Sequence, residues 1–84
     1  MVLYHARGCH LCERARVVLR EALEETAFTL REVDITGDPA LEPRFREWLP
    51  VVEIDGKRAF VYHVDPRALR RKLAAQSALP GAPL

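Results

Sequence analysis

Val2, Leu3 and Tyr4 open the chain as a short apolar run that predicts a buried strand ending at His5. Arg7 and Gly8 read as a loop, and beyond them the pattern changes. Leu11, Ala15, Val18, Leu19, Ala22 and Leu23 recur at helical spacing, with Glu13, Arg14, Arg16, Arg20 and Glu24 on the other side. This predicts a helix from Cys9 to Glu25 whose first turn carries two cysteines. Phe28 and Leu30 then alternate with Thr29 and Arg31, predicting a second strand from Phe28 to Asp34. A strand, a helix and a strand in this order predict a parallel pair joined by a right-handed crossover.

Thr36-Gly37-Asp38-Pro39 reads as a turn that starts a second helix, with Asp38 as N-cap, Pro39 as first helical residue and an end near Glu47. Pro50 interrupts the chain. Val51 to Ile54 and Ala59 to Tyr62 are β-rich runs separated by Asp55-Gly56-Lys57-Arg58, and the Asp-Gly pair is a hairpin signal. Asp65-Pro66 begins a last helix through Ala68, Leu69, Leu73 and Gln76. Leu79 to Leu84 holds two prolines and a glycine and reads as a flexible tail. The order β-α-β-α-β-β-α predicts one α/β domain over residues 1–78, a mixed four-stranded sheet flanked by helices, followed by the tail at 79–84.

Composition narrows the function. A chain of 84 residues, 49% hydrophobic, builds one domain around one modest core. A net charge of +1 lacks the basic excess of a nucleic-acid binder. No apolar run approaches the roughly 18 residues of a membrane-spanning helix. Met1 leads straight into Val-Leu-Tyr with no charged leader. The expectation is a cytoplasmic monomer with neither nucleic-acid nor membrane partners. Structural disulfides are rare in that compartment, so a close cysteine pair there points to chemistry.

That pair is Cys9-His10-Leu11-Cys12. In a cytosolic βαβ context C-x-x-C reads as a redox motif. Two intervening residues in a first helical turn bring the sulfurs within bonding reach. Cys9 lies where the helix presents unpaired N–H groups and the positive end of its dipole. Both favour thiolate over thiol, so Cys9 is the expected nucleophile, and Cys12, one turn further in, is expected to act second. Arg7 upstream and a protonated His10 would add positive potential at Cys9; each also reads as an ordinary solvated side chain. A metal site would need His5, His10 or His63 to complete it, at spacings unlike those of a zinc finger.

Tyr4-His5-Ala6-Arg7-Gly8-Cys9-His10-Leu11-Cys12, then Val33-Asp34-Ile35, then Leu49-Pro50-Val51-Val52-Glu53-Ile54-Asp55-Gly56 resemble glutaredoxins, most of all short bacterial glutaredoxin-like proteins. The resemblance covers about residues 1–76. It implies a thioredoxin-like fold, Cys9 as nucleophile and Cys12 as resolving thiol. It also implies a cis peptide bond before Pro50, facing the cysteines, and a Leu49 backbone that pairs with an extended substrate. The implied substrate-binding residues are then Arg7, His10, Leu49 and Pro50. Glutaredoxins carry a glutathione-binding Lys where this chain has Ala6, Pro-Tyr where it has His10-Leu11, and Thr-Val where it has Trp48-Leu49. They also carry a Gly-Gly pair in the region of Val61-Tyr62-His63-Val64, so glutathione use does not carry over with the fold.

The expected activity is thiol–disulfide exchange on a disulfide-containing protein or small molecule. It needs an external thiol reductant and no metal or organic cofactor. The alternative is a non-catalytic thioredoxin-fold module that binds a metal ion or a protein partner.

Overall fold

In the computed structural model, which describes residues 1–77, the strands are β1 (Val2–His5), β2 (Arg31–Asp34), β3 (Val51–Ile54) and β4 (Lys57–Val61). The helices are α1 (His10–Glu25), α2 (Leu41–Phe45) and α3 (Pro66–Ser77), with a single 3₁₀ turn at Arg46–Trp48 after α2. The sheet order is β2-β1-β3-β4. β1 and β2 are parallel, as a crossover through α1 requires, while β3 runs antiparallel to both β1 and β4. The α/β class and the mixed four-stranded sheet are as the sequence predicts. The expected tail at 79–84 lies outside the described residues.

Successive strand residues point to opposite faces, and each face builds its own core. Leu3 and Val52, paired across β1 and β3, pack with Ala15, Leu19 and Ala22 of α1 and Leu69 and Leu73 of α3. Their neighbours Tyr4 and Val51 face the other side, with Ile35 and Phe45. There the Tyr4 and Phe45 rings stack at 4.1 Å between centroids. Among the described residues no helix is long and apolar enough to cross a membrane.

Several boundaries differ from the sequence reading, among them the end of α2 at Phe45 rather than near Glu47 and the end of β4 at Val61 rather than Tyr62. Cys9 is the N-cap of α1 and not its first residue; its backbone is extended, as caps require. The second strand begins at Arg31, because Val2 is the first ladder partner that β1 offers; Phe28 and Leu30 still pack on the core. The second helix begins at Leu41, not Pro39, and its N-cap is Ala40, not Asp38. Asp38 Oδ1 accepts the N–H groups of both Ala40 and Leu41, at 2.8 and 3.0 Å, so its carboxylate closes a turn one step before the helix. The loop between β3 and β4 is two residues and not four. Asp55 and Gly56 both have positive φ, at 54° and 77°, the pairing of a type I′ turn whose twist matches the strands.

Candidate functional site

Register brings the functional segments to one end of the sheet. His5 pairs with Asp34, and Tyr4 pairs with both Val33 and Val51. The C-terminal ends of β1 and β2 therefore lie beside the start of β3 and, since Val51 pairs with Val61, the end of β4. The cysteine motif follows β1, Leu49-Pro50 precedes β3 and Tyr62-His63 follows β4, so all three share this end. The Leu49–Pro50 bond is cis, as the resemblance implies. Pro50 is fully buried, and its carbonyl accepts the Tyr62 N–H at 2.9 Å.

Cys9 and Cys12 are joined as a disulfide with their Cα atoms 5.2 Å apart, within the span such bonds allow. Cys9 Sγ also accepts the Cys12 backbone N–H at 3.1 Å, so it satisfies one of the N–H groups a helix start leaves over. The two sulfurs differ in environment: Cys9 is half-buried, whereas Cys12 has no exposed surface. Arg7 and His10 are exposed on either side of Cys9 in the sequence.

The approach to Cys9 is tied to β2 by a chain of short-range contacts. Asp34 Oδ1 accepts the Thr36 N–H at 2.9 Å, Thr36 Oγ1 accepts the Arg7 N–H at 3.0 Å, and the Ile35 N–H donates to the His5 carbonyl at 2.8 Å. The Thr36 N–H holds the Asp34 carboxyl below its ordinary value; the Thr36 side chain and the charges of His5 and Arg7 act in the same direction. α1 is anchored through Arg16. Its Nε donates to Glu32 at 3.0 Å, another guanidinium nitrogen to Glu13 at 2.9 Å, and the third lies 3.2 Å from His5 Nδ1.

Apolar side chains are exposed at this end of the sheet. Leu11, expected on the buried stripe of α1, is 44% exposed, while Cys12 takes the buried place beside it. Trp48 and Tyr62 are 41% and 45% exposed, with ring centroids 6.1 Å apart and the Arg58 guanidinium over the Trp48 ring. Tyr62 has φ 67°, a left-handed conformation that bulky side chains rarely adopt. Between α1 and the segment entering α3 lies a cleft of about 240 Å³ reached by Leu11 and Tyr62.

The sequence reading placed Arg7, Cys9, His10, Cys12, Leu49 and Pro50 in the site, and the fold puts the 7–12 segment and Leu49-Pro50 at the same end of the sheet. It did not single out Asp34 or Thr36, although Asp-x-Thr is the spacing of a side-chain-to-backbone turn. Among the described residues no group of three or more His, Cys, Asp or Glu is placed to hold a metal ion.

A single four-stranded thioredoxin-like sheet covered on both faces, with a C-x-x-C pair at the head of its first helix, is a glutaredoxin-type architecture. The model of the Glutaredoxin-like domain (DUF836) matches residues 1–74, and the chain belongs to that family. Uncharacterized proteins of Mycobacterium tuberculosis and Mycobacterium bovis are each 35% identical to it over 72 residues, 80% of this chain and 74% of theirs. Among solved structures, a structural-genomics target protein from X. campestris superposes with a TM-score of 0.70 at 32% identity, covering 94% of this chain and 97% of that one. A Nitrosomonas europaea protein solved by NMR gives 0.69 at 28% identity, covering 86% and 87%.

Proposed function

We propose that this protein is a thiol–disulfide oxidoreductase. The reading rests on one observation: Cys9 caps α1, receives the Cys12 N–H and is within bonding reach of Cys12. The Cys9 thiolate attacks one sulfur of a substrate disulfide. The substrate S–S bond breaks, one substrate thiolate leaves and takes a proton, and Cys9 is held in a mixed disulfide. Cys12, having lost its proton, attacks Cys9 Sγ. The second substrate thiol departs reduced, and the Cys9–Cys12 disulfide remains. A thiol reductant from the surroundings supplies two electrons and two protons to reset the pair, so no metal or organic cofactor is required. Arg7 adds positive potential beside the attacking sulfur, and His10 lies next to it in the chain. Leu49, extended at φ −64° and ψ 143° ahead of Pro50, is where an extended substrate would align. A single copy carries both cysteines, so a monomer suffices, and a dithiol that must be recharged belongs in the reducing cytoplasm.

The test is capture. A Cys12→Ser variant keeps the attacking sulfur and loses the resolving one, so mixed disulfides should accumulate on a non-reducing gel of cell extract. An internal nucleophile has a large kinetic advantage over outside thiols, so the trapped complex should live orders of magnitude longer than in the parent. Cys9→Ser should capture nothing. Absence of capture by Cys12→Ser, with metal retained by the reduced parent, would instead favour the non-catalytic binding module.

A further inference from the structure

The cleft beside the cysteine motif is lined by Leu11, Arg14 and Val18 of α1 and by Tyr62, His63 and Val64 ahead of α3. At about 240 Å³ it falls below the range of small-molecule sites and fits a single large side chain. Its walls are mostly apolar, and Leu11 and Tyr62 expose wide apolar surface at it. Its charge has one sign. Arg14 is the cationic residue on its wall, and no carboxylate lines it. Asp65, between Val64 and Pro66 in the chain, has its side chain accepting the Arg67 N–H at 3.2 Å. Arg14, like the Arg31, Arg67 and Arg71 side chains, makes no hydrogen bond, ion pair or ring contact among the described residues, but of these only Arg14 lines the cleft. An arginine left unpaired on the wall of an apolar cleft complements a ligand that pairs an apolar group with a carboxylate.

The cleft adjoins the cysteine motif through Leu11. Leu11 stands between the two cysteines, and the Tyr62 N–H is bonded to the Pro50 carbonyl. Tyr62 is kept in its left-handed conformation at this point, where such strain is typically functional.

From these features, and resting on the oxidoreductase reading, we propose that the substrate is an extended segment of a disulfide-bonded protein. That segment presents, next to its reactive cysteine, a large apolar side chain for the Leu11–Tyr62–Val64 cleft and an acidic residue for Arg14.

The experiment uses single turnover, which needs no added reductant. Pre-reduced protein is mixed with symmetrical peptide disulfides carrying Leu or Ser and Asp or Lys beside the cysteine. Each turnover oxidises Cys9 and Cys12 and releases two peptide thiols. The neutral 2-hydroxyethyl disulfide and glutathione disulfide are run in parallel. The Leu-Asp peptide should react about tenfold faster than Ser-Lys, with about fivefold of that from charge, in line with the worth of an exposed ion pair. Arg14→Glu, a change at an exposed position, should reverse the Asp-over-Lys ratio; the ratio cancels any general change in thiol reactivity. Equal rates for all four peptides, in protein that 2-hydroxyethyl disulfide still oxidises, would overturn the cleft assignment and leave the exchange activity standing. So would faster reaction of glutathione disulfide than of Leu-Asp. If no disulfide oxidises the pair, the exchange activity and the cleft assignment fall together.

Discussion

Reduction of the Cys9–Cys12 bond should expose two thiols of very different reactivity, and the structure sets the scale. Cys9 Sγ accepts a backbone N–H at 3.1 Å. A hydrogen bond to a charged group contributes about 1.5–3 kcal/mol. The helix start adds about 0.3–1 kcal/mol. Together they favour the Cys9 thiolate by about 2–4 kcal/mol, which at tenfold per 1.36 kcal/mol is about 30- to 900-fold in the ionisation constant. A stabilised thiolate is also a weaker nucleophile, and this offsets about half of the gain on a logarithmic scale. Because an ordinary thiol is already about 3% ionised at pH 7, the gain in thiolate saturates at about 30-fold, and a net advantage of only about 2- to 4-fold remains for Cys9 from ionisation. Cys12 has no exposed surface, so the reagent's lack of access widens the gap. The assay is iodoacetamide labelling of reduced protein at pH 7, read by mass spectrometry of the two cysteine masses over time. Protein unfolded in urea is the reference, where the two rates should converge. Equal rates in the folded protein, or faster labelling of Cys12, would show that the cap does not activate Cys9.

Two further outcomes follow from the contacts that hold the site. Arg16→Met removes a guanidinium that is 20% exposed and bridges α1 to Glu32, which keeps Arg20 as a partner. The loss should be about 1 kcal/mol, lowering Tm by about 4–8 °C in a thermal melt; an unchanged Tm would show that the bridge contributes nothing net. Asp34 is held below its ordinary 3.8 in the folded protein, chiefly by the Thr36 N–H. Its contribution is therefore present above that value and lost as pH falls through the lower folded one. Asp34→Asn should flatten the fall of Tm between about pH 4 and pH 2; an acid limb as steep as the parent's would place the sensitive group elsewhere.

Local rules made much of this molecule legible. Asp55-Gly56 names its own turn, because few other pairs accept positive φ twice. Cys9 and Cys12 announce a helix-start dithiol by spacing alone. The helical stripe of α1 was readable but its exact orientation was not: Leu11 and Cys12 both fit the stripe, and packing under the sheet chose Cys12. The start of β2 depends on where β1 begins, a partner nearly thirty residues away. Tyr62 carries no sequence signal for a left-handed backbone; the bond of its N–H to Pro50 and its place after β4 impose it. The Asp34–Thr36–Arg7 chain joins two loops that only the parallel pairing brings together.

In the proposed exchange Cys9 is at once the reagent and the cap of the helix that carries it. A sulfur in that double office constrains how the family can diverge. Alanine there would remove chemistry and cap together, the latter at a cost of about 1 kcal/mol. Serine, aspartate or asparagine would abolish the chemistry while capping α1 as well or better. A lineage that abandons redox work therefore has an easy exit through those three residues, with its fold intact. A relative carrying one of them at this position would be a surviving scaffold with a retired active site, and its remaining surface, the cleft beside α1 included, would be the place to look for what it does instead.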